Sequence, residues 1–284
     1  MTWRLRVHHM TRYEYTGTVT TSYNEARMTP LSVPGQTTID ARLEIRPAVR
    51  AFRYWDYWGT MVHAFDIHQP HDELTVTATA VVETSAPAPC TDVTSWEVLA
   101  TEEQRDRWCE MLNPSWYVPV DLALLEQAAN VRSSVVANPL ETAVAASGFV
   151  HDHMIYQKGS TTVATSAPEA FAAGSGVCQD FAHVLLGILR AMGIPCRYVS
   201  GYLYPYPDDE GGLGQVYTGQ SHAWVEAWVG DWLALDPTQG GFVGPQHVMV
   251  ARGRDYADVT PLKGIFTGSP VERLKVNVEL TRIA

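Results

Sequence analysis

Apolar and polar residues alternate through the first third of the chain. Ile39-Asp40-Ala41-Arg42-Leu43-Glu44-Ile45-Arg46 switches between apolar and charged at every step, and Leu74, Val76, Ala78 and Ala80 are interleaved with Thr75, Thr77 and Thr79. A period of two puts one side of a strand in a core and the other in water. The first residues, Met1-Thr2-Trp3-Arg4-Leu5-Arg6-Val7, alternate in the same way, and Pro and Gly punctuate the gaps. To about Ser95 the pattern predicts an antiparallel, β-sandwich-like domain with a solvated face. Ala86-Pro87-Ala88-Pro89 forms a stiff junction. The expected division is residues 1–95 as an N-terminal β-domain and residues 96–284 as a second domain.

Beyond Trp96 the period lengthens. Asn138-Pro139-Leu140-Glu141 has an N-cap, a proline at the first helical position and an early acid, and Val144, Phe149 and Val150 supply the apolar side. Phe181, Leu185, Ile188 and Met192 recur at three and four residues until Gly193 and Pro195 stop them, which predicts a buried helix. Arg197 to Tyr202, His222 to Val229 and Trp232 to Asp236 read as strands, the last two separated by Gly230-Asp231. Leu274 to Leu280 alternates as a final strand able to pair with an existing sheet. Strands followed by mixed helices and strands define an α+β chain.

Three side chains in these elements carry chemistry. Cys178 follows Gly174-Ser175-Gly176 and opens the buried helix, where unpaired N–H groups and the positive dipole end favour a thiolate and can receive an oxyanion. His222 begins one strand and Asp236 ends the next. An imidazole within reach removes a thiol proton, and a carboxylate fixes the imidazole's tautomer. The arrangement carries one condition. A strict two-residue turn at Gly230-Asp231 would send His222 and Asp236 to opposite faces, so a triad requires a bulge or an odd-length loop there. For the oxyanion, the Cys178 N–H is the first donor, with Gln179 or Trp224 as candidates for the second. Tyr204, Tyr206 and Tyr217, in the Gly- and Pro-rich stretch before His222, either line a substrate cleft or lid or belong to an ordinary loop. Cys196 reads as buried filler.

The strings Gly-Val-Cys-Gln-Asp-Phe-Ala-His (176–183), Gly-Ile-Pro-Cys-Arg-Tyr-Val-Ser-Gly-Tyr (193–202), Ser-His-Ala-Trp (221–224) and Asp-Pro-Thr (236–238) resemble those of bacterial transglutaminase-like proteins, whose core is related to papain-type cysteine proteases. Gly253-Arg254-Asp255-Tyr256-Ala257-Asp258-Val259, Asn24-Glu25-Ala26-Arg27-Met28-Thr29-Pro30 and Pro34-Gly35-Gln36 extend the resemblance over nearly the whole chain. It implies a papain-like, transglutaminase-like α+β core, with Cys178 as nucleophile, His222 as base and acid and Asp236 as orienter. It also draws Ser221 and Tyr256 into the set of oxyanion or substrate candidates. One departure is Thr218-Gly219-Gln220, where related sequences often carry an aspartate.

Composition narrows the field. The 284 residues are 46% hydrophobic, enough for two cores, and the net charge of −11 argues against nucleic acid or an anionic membrane as partner. No apolar run reaches the length of about 18 residues that suggests a spanning helix, and the N-terminus lacks a signal-peptide core. The four scattered cysteines form neither a disulfide framework nor a CxxC site. Cytoplasmic residence, no cofactor and no metal are the expectations. His63, His68 and His71 are irregularly spaced and read as packing residues, while His151 and His153 diverge on their helix. The expected activity is acyl-enzyme catalysis on peptide or carboxamide bonds, with a peptide or protein as substrate. Transfer to an amine is the alternative outcome and a catalytically silent binding module the alternative class. A metal site through Cys178 with His183 or His222 is disfavoured, because five residues on a helix turn His183 about 140° away from Cys178 and zinc would want more thiol or imidazole partners. Homo-oligomerisation is left open.

Overall fold

In a computed structural model of the chain, residues 2–88, 90–134, 138–206 and 212–284 are described. Pro89 of the junction, part of the segment before Asn138 and part of the loop after Tyr206 therefore lie outside the described residues.

Five antiparallel strands come first: β1 (Thr2–Ala26), β2 (Gln36–Arg46), β3 (Phe52–Trp55), β4 (Met61–Ile67) and β5 (His71–Ser85). Helices α1 (Trp96–Leu99), α2 (Glu102–Arg107), α3 (Cys109–Leu112), α4 (Leu122–Ser134) and α5 (Pro139–His153) follow. Next come β6 (Ile155–Tyr156), α6 (Ala167–Ala173), β7 (Ser175–Gly176) and α7 (Cys178–Ala191). The last part holds β8 (Cys196–Leu203), β9 (Val216–Gly219), β10 (Ser221–Trp228), β11 (Trp232–Asp236), β12 (Gly241–Phe242) and β13 (His247–Gly253), then α8 (Tyr256–Val259), β14 (Leu262–Gly268) and β15 (Val271–Arg282).

The fold is α+β, with a strand-rich N-terminal region and a five-stranded core sheet ordered β12-β11-β10-β8-β13. In the N-terminal region hydrogen bonding runs without a break through one branched, eight-stranded sheet, and its long strand β1 changes partners midway. Up to Glu14 it lies between β5 and β15; from Val19 to Ala26 it pairs with β14, and from Ser22 to Ala26 β4 flanks its other side, with register shifts in between. Such irregularities bend a strand. Tyr15, Val19, Phe65, Ile67, Leu74 and Val76 are buried around this bend.

Division near residue 95 describes the order of the chain but not the sheet. β9, β14 and β15 all come after it and pair into the N-terminal sheet, so the core is inserted between strands of that sheet. Trp3, Leu5, Val7, Val82, Val278 and Leu280 belong to the same buried cluster as α7. Gln36, from the string Pro34-Gly35-Gln36, stitches the two regions together. Its amide donates to the Leu31 and Met249 carbonyls at 2.7 and 2.8 Å and accepts the Met249 N–H at 2.7 Å. Arg27 holds Glu25 and Asp56 at 3.0 and 3.1 Å. These two early motifs therefore build the frame.

Candidate active site

Helix α7 starts at Cys178 because the residues before it are held extended by their neighbours. β6 pairs in parallel with β7, setting Tyr156 opposite Gly176. The Asp180 carboxylate then caps the turn: its Oδ2 accepts the Val177 N–H at 2.7 Å and the Thr161 hydroxyl at 2.6 Å. A Cβ on Gly176 would lie 2.6 Å from that carboxylate, which accounts for the glycine two residues before the cysteine. Asp180 is fully buried, and burial, ahead of these hydrogen bonds, leaves its pKa raised. Apolar residues of α7 bury one side of the core sheet through Ala223, Val225 and Ala227. Gly193, at φ +78°, ends the run where expected.

His222 and Asp236 meet on the opposite side of that sheet. Pairing runs Trp228↔Trp232, Ala227↔Leu233, Glu226↔Ala234 and Val225↔Leu235. The connection is thus three residues, Val229 to Asp231, and of odd length as the triad required. The next step in register sets Asp236 against Trp224, on the face that also carries His222. His222 Nε2 and Asp236 Oδ2 lie 2.7 Å apart, which leaves Nδ1 for the thiol. Cys178 is half-buried, and its Sγ is 3.9 Å from the Ser221 carbonyl.

The charges follow from this packing. Burial pulls the His222 pKa down, but hydrogen bonds to Asp236 and Cys178 outweigh it and raise the value to about 10. Burial pushes Asp236 up, but the hydrogen bonds of His222 and His247 hold it well below the usual carboxylate range. Asp236 Oδ1 also accepts the Thr238 and Gln239 N–H groups at 2.9 and 3.1 Å. Four donors therefore converge on one buried carboxylate. The arrangement stabilises the charged form of His222.

His247 stands in no motif or spacing that marks it in the sequence. Its Nε2 lies 3.0 Å from Asp236 Oδ2, and its Nδ1 accepts the Gly244 N–H at 3.1 Å. Nδ1 therefore carries no proton, and the neutral ring must bear its proton on Nε2, directed at Asp236. Burial, ahead of the Asp236 bond, lowers the His247 pKa and keeps the ring neutral. Ligand atoms of His222, Asp236 and His247 lie within 4.8 Å of one another, the spacing of a metal-ion cluster. The donors do not fit one. A metal-bound imidazole donates its far N–H outward, whereas the far nitrogen of His247 is an acceptor.

The remaining candidates are placed as follows. Gln179 is buried, and its Nε2 donates to the Val163 carbonyl at 3.2 Å, holding the loop beside the cysteine. The backbone N–H groups of Cys178 and Gln179 open the helix, where no intrahelical carbonyl exists for them. Ser221 contributes its carbonyl to the thiol. Trp224 is buried away from the helix side. Its ring lies over Gly201, where a Cβ would meet the indole at 2.6 Å, and edge-on to His247 at 5.2 Å. It lines a cavity of about 600 Å³ behind the sheet, with Gln36, Arg197, Glu226 and His247. Tyr256 packs against Tyr117 and Tyr198, and its N–H donates to His183 Nε2 at 3.2 Å, so it braces the back of α7. The tyrosines before His222 do not form an open lid. Tyr204 is fully buried against Trp3, with Tyr206 and Tyr217 packed on it, and β9 pairs with β15. Cys196 is buried filler, with its thiol pushed up to about 11 by burial. Among the described residues no helix is long and apolar enough to cross a membrane.

The profile of the bacterial transglutaminase-like N-terminal region matches residues 5–83, and that of the transglutaminase-like superfamily matches residues 127–237. An uncharacterised Mycobacterium leprae protein is 45% identical over 99% of this chain and 100% of its own length. A Pseudomonas aeruginosa protein-glutamine gamma-glutamyltransferase is 32% identical over 55% of this chain but only 24% of its own length. A solved structure from Cytophaga hutchinsonii, titled "a Putative Cysteine Protease", superposes with a TM-score of 0.76 at 21% identity, covering 99% of this chain and 98% of that one. Both regions of the chain, the sheet that frames the core and the core that carries Cys178, His222 and Asp236, thus belong to the bacterial transglutaminase-like family.

Proposed function

We propose that this protein is a cysteine enzyme that cleaves peptide or carboxamide bonds through an acyl-enzyme. Cys178 passes its proton to His222, and Sγ attacks the carbonyl carbon. His222 then returns the proton to the departing amine as the C–N bond breaks, leaving a thioester on Cys178. Water, deprotonated by His222, attacks the thioester and releases a carboxylic acid and the free thiol. Asp236 keeps the imidazole oriented and stabilises its charged form. The backbone N–H groups of Cys178 and Gln179 at the start of α7 receive the oxyanion.

The observation that carries this reading is the 2.7 Å bond from Asp236 to His222 beside a cysteine at a helix N-terminus. Hydrolysis is favoured over transfer because Cys178 is only half-buried, so water has access to the thioester. Transfer to an amine is the second reading, and the resemblance of part of the chain to the Pseudomonas glutamyltransferase supports it.

Alkylation of Cys178 by iodoacetamide, followed against pH, tests the thiol. Rapid reaction well below the free-thiol pKa of about 8.5, abolished in His222→Ala, is expected. An ordinary thiol profile unchanged by that substitution would leave the binding-module reading in its place. A glutamine peptide offered with a labelled amine then separates the two outcomes: ammonia leaves on either path, a glutamate product reports hydrolysis, and incorporated label exceeding glutamate formation reports transfer.

A further inference from the structure

The geometry points to His247 as a positioning residue for the site: a second imidazole whose Nε2–H fixes Asp236 so that Asp236 can fix His222. The inference rests on the proposed thiol chemistry and extends it by one residue.

Asp236 is a short side chain at the end of β11 and has to hold one orientation to meet His222. Its two oxygens are fixed from different directions. Backbone N–H groups of the following turn hold Oδ1, while Oδ2 lies between two imidazoles at 2.7 and 3.0 Å. Without His247, Oδ2 would have His222 alone, and the carboxylate would be free to swing about the Oδ1 anchor. His247 is suited to the task because its own state is fixed. It is 4% exposed, Trp224 packs edge-on against it, and the Gly244 N–H occupies Nδ1. The only polarity left to it is donation to Asp236.

The arrangement also divides the charge. A carboxylate oxygen shared by two N–H donors is a weaker base than one held by a single donor, so it orients the His222 proton without removing it. The charged and titratable groups around His222 are Asp236 and Cys178. His247 shares the sheet face, as does Glu226, which is itself held by Arg197 at 2.6 Å and Arg252 at 3.3 Å. His151, which reaches the Pro237 carbonyl at 3.2 Å, faces the turn from α5.

Two measurements test the inference. Imidazole nitrogen NMR on the unaltered protein should show His247 neutral and protonated on Nε2 across the range in which His222 titrates; a proton on Nδ1 would overturn the proposal without any variant. Cys178 alkylation is then compared among wild type, His222→Ala, His247→Gln and His247→Leu, each checked for folding by circular dichroism. Losing one hydrogen bond to a buried charge should slow His247→Leu roughly tenfold at mildly acid pH. His247→Gln, whose amide N–H can still donate, should recover most of the rate. Folded His247→Leu reacting like wild type, or folded His247→Gln as slow as the leucine variant, would sink the positioning role. Wild-type reactivity no greater than that of His222→Ala would instead refute the thiol-enzyme reading itself, and the NMR tautomer would decide alone whether His247 orients Asp236.

Discussion

Two buried histidines, one at the seam of the N-terminal sheet and one at the candidate site, are driven in opposite directions. His9 is 2% exposed; its Nδ1 meets the Tyr202 hydroxyl at 2.9 Å and its Nε2 the Thr11 hydroxyl at 3.2 Å. Burial, followed by the charge of His8, lowers its pKa to about 4. His222 is 8% exposed and bonded to a carboxylate, and it rises to about 10. Burial pulls both downward. Hydroxyl partners satisfy a ring without compensating a buried positive charge, whereas an ionised partner does. Being inside the protein therefore keeps a histidine neutral, and a correctly placed carboxylate favours its charged form.

The largest test of that contrast is Asp236→Asn, which should turn His222 into a second His9. Its pKa should fall below the ordinary value, and acid-range alkylation and turnover should drop by roughly a thousandfold to ten-thousandfold. Retained reactivity in a folded Asp236→Asn protein would show that something other than the carboxylate separates the two histidines.

Stability against pH gives a smaller effect of opposite sign at the two positions. The folded pKa of His9 lies below its unfolded value of 6.5, so the unfolded chain takes the proton first. Stability is then lost as pH falls from about 6.5 toward 4, by about 3 kcal/mol in all. His222 has a raised folded pKa, so its contribution is fully present below 6.5 and disappears as pH climbs through about 10. Urea unfolding should show that His9→Gln loses less stability than wild type on acidification, while keeping the share of His183, which burial lowers to about 3. Equal slopes in the two proteins would mean that His9 is not held neutral.

Smallest of all is Tyr202→Phe. Removing one neutral hydrogen bond should cost about 1 kcal/mol in unfolding experiments and change Cys178 alkylation less than about twofold. A large change in alkylation would mean that the two histidines communicate across the β8–β10 pairing, and the comparison would no longer separate framework from site.

Much of this arrangement can be read from the chain itself. The turn from period two to helical spacing locates α7, and Trp232 to Asp236 is visible as a strand between Gly230 and Pro237. Reasoning from parity requires the odd-length loop that the structure contains. His247 is invisible for a physical reason: it lies beyond a glycine-rich turn, and its relation to Asp236 depends on β13 pairing with β8, across the sheet from β11. Local pattern reports a strand but not its neighbour. The same limit applies to β15, whose alternation is plain while its partner β1 is not. Tyr204 misleads because Gly and Pro around it signal an open loop, whereas its burial against Trp3, with Tyr217 packed on it, comes from the distant N-terminus. Asp180 stands in a quoted motif, yet its function as a cap for Val177 appears only once the turn is built.

The pairing of β1 with β15, in which Leu5 meets Arg282, bears on how the protein is made. Closing a contact between segments so far apart in sequence is entropically slow, and synthesis delivers β1 and β5 long before β15. One edge of β1 therefore stands open through translation, and an open edge is a template for wrong partners. The same delay falls on the site. β9, which leads directly into the His222 strand, is pinned by β15, so a ribosome-bound chain already displays Cys178 before the strand that anchors β9 has emerged. The expected result is that the arrangement of Cys178, His222 and Asp236 is completed only when β15 docks.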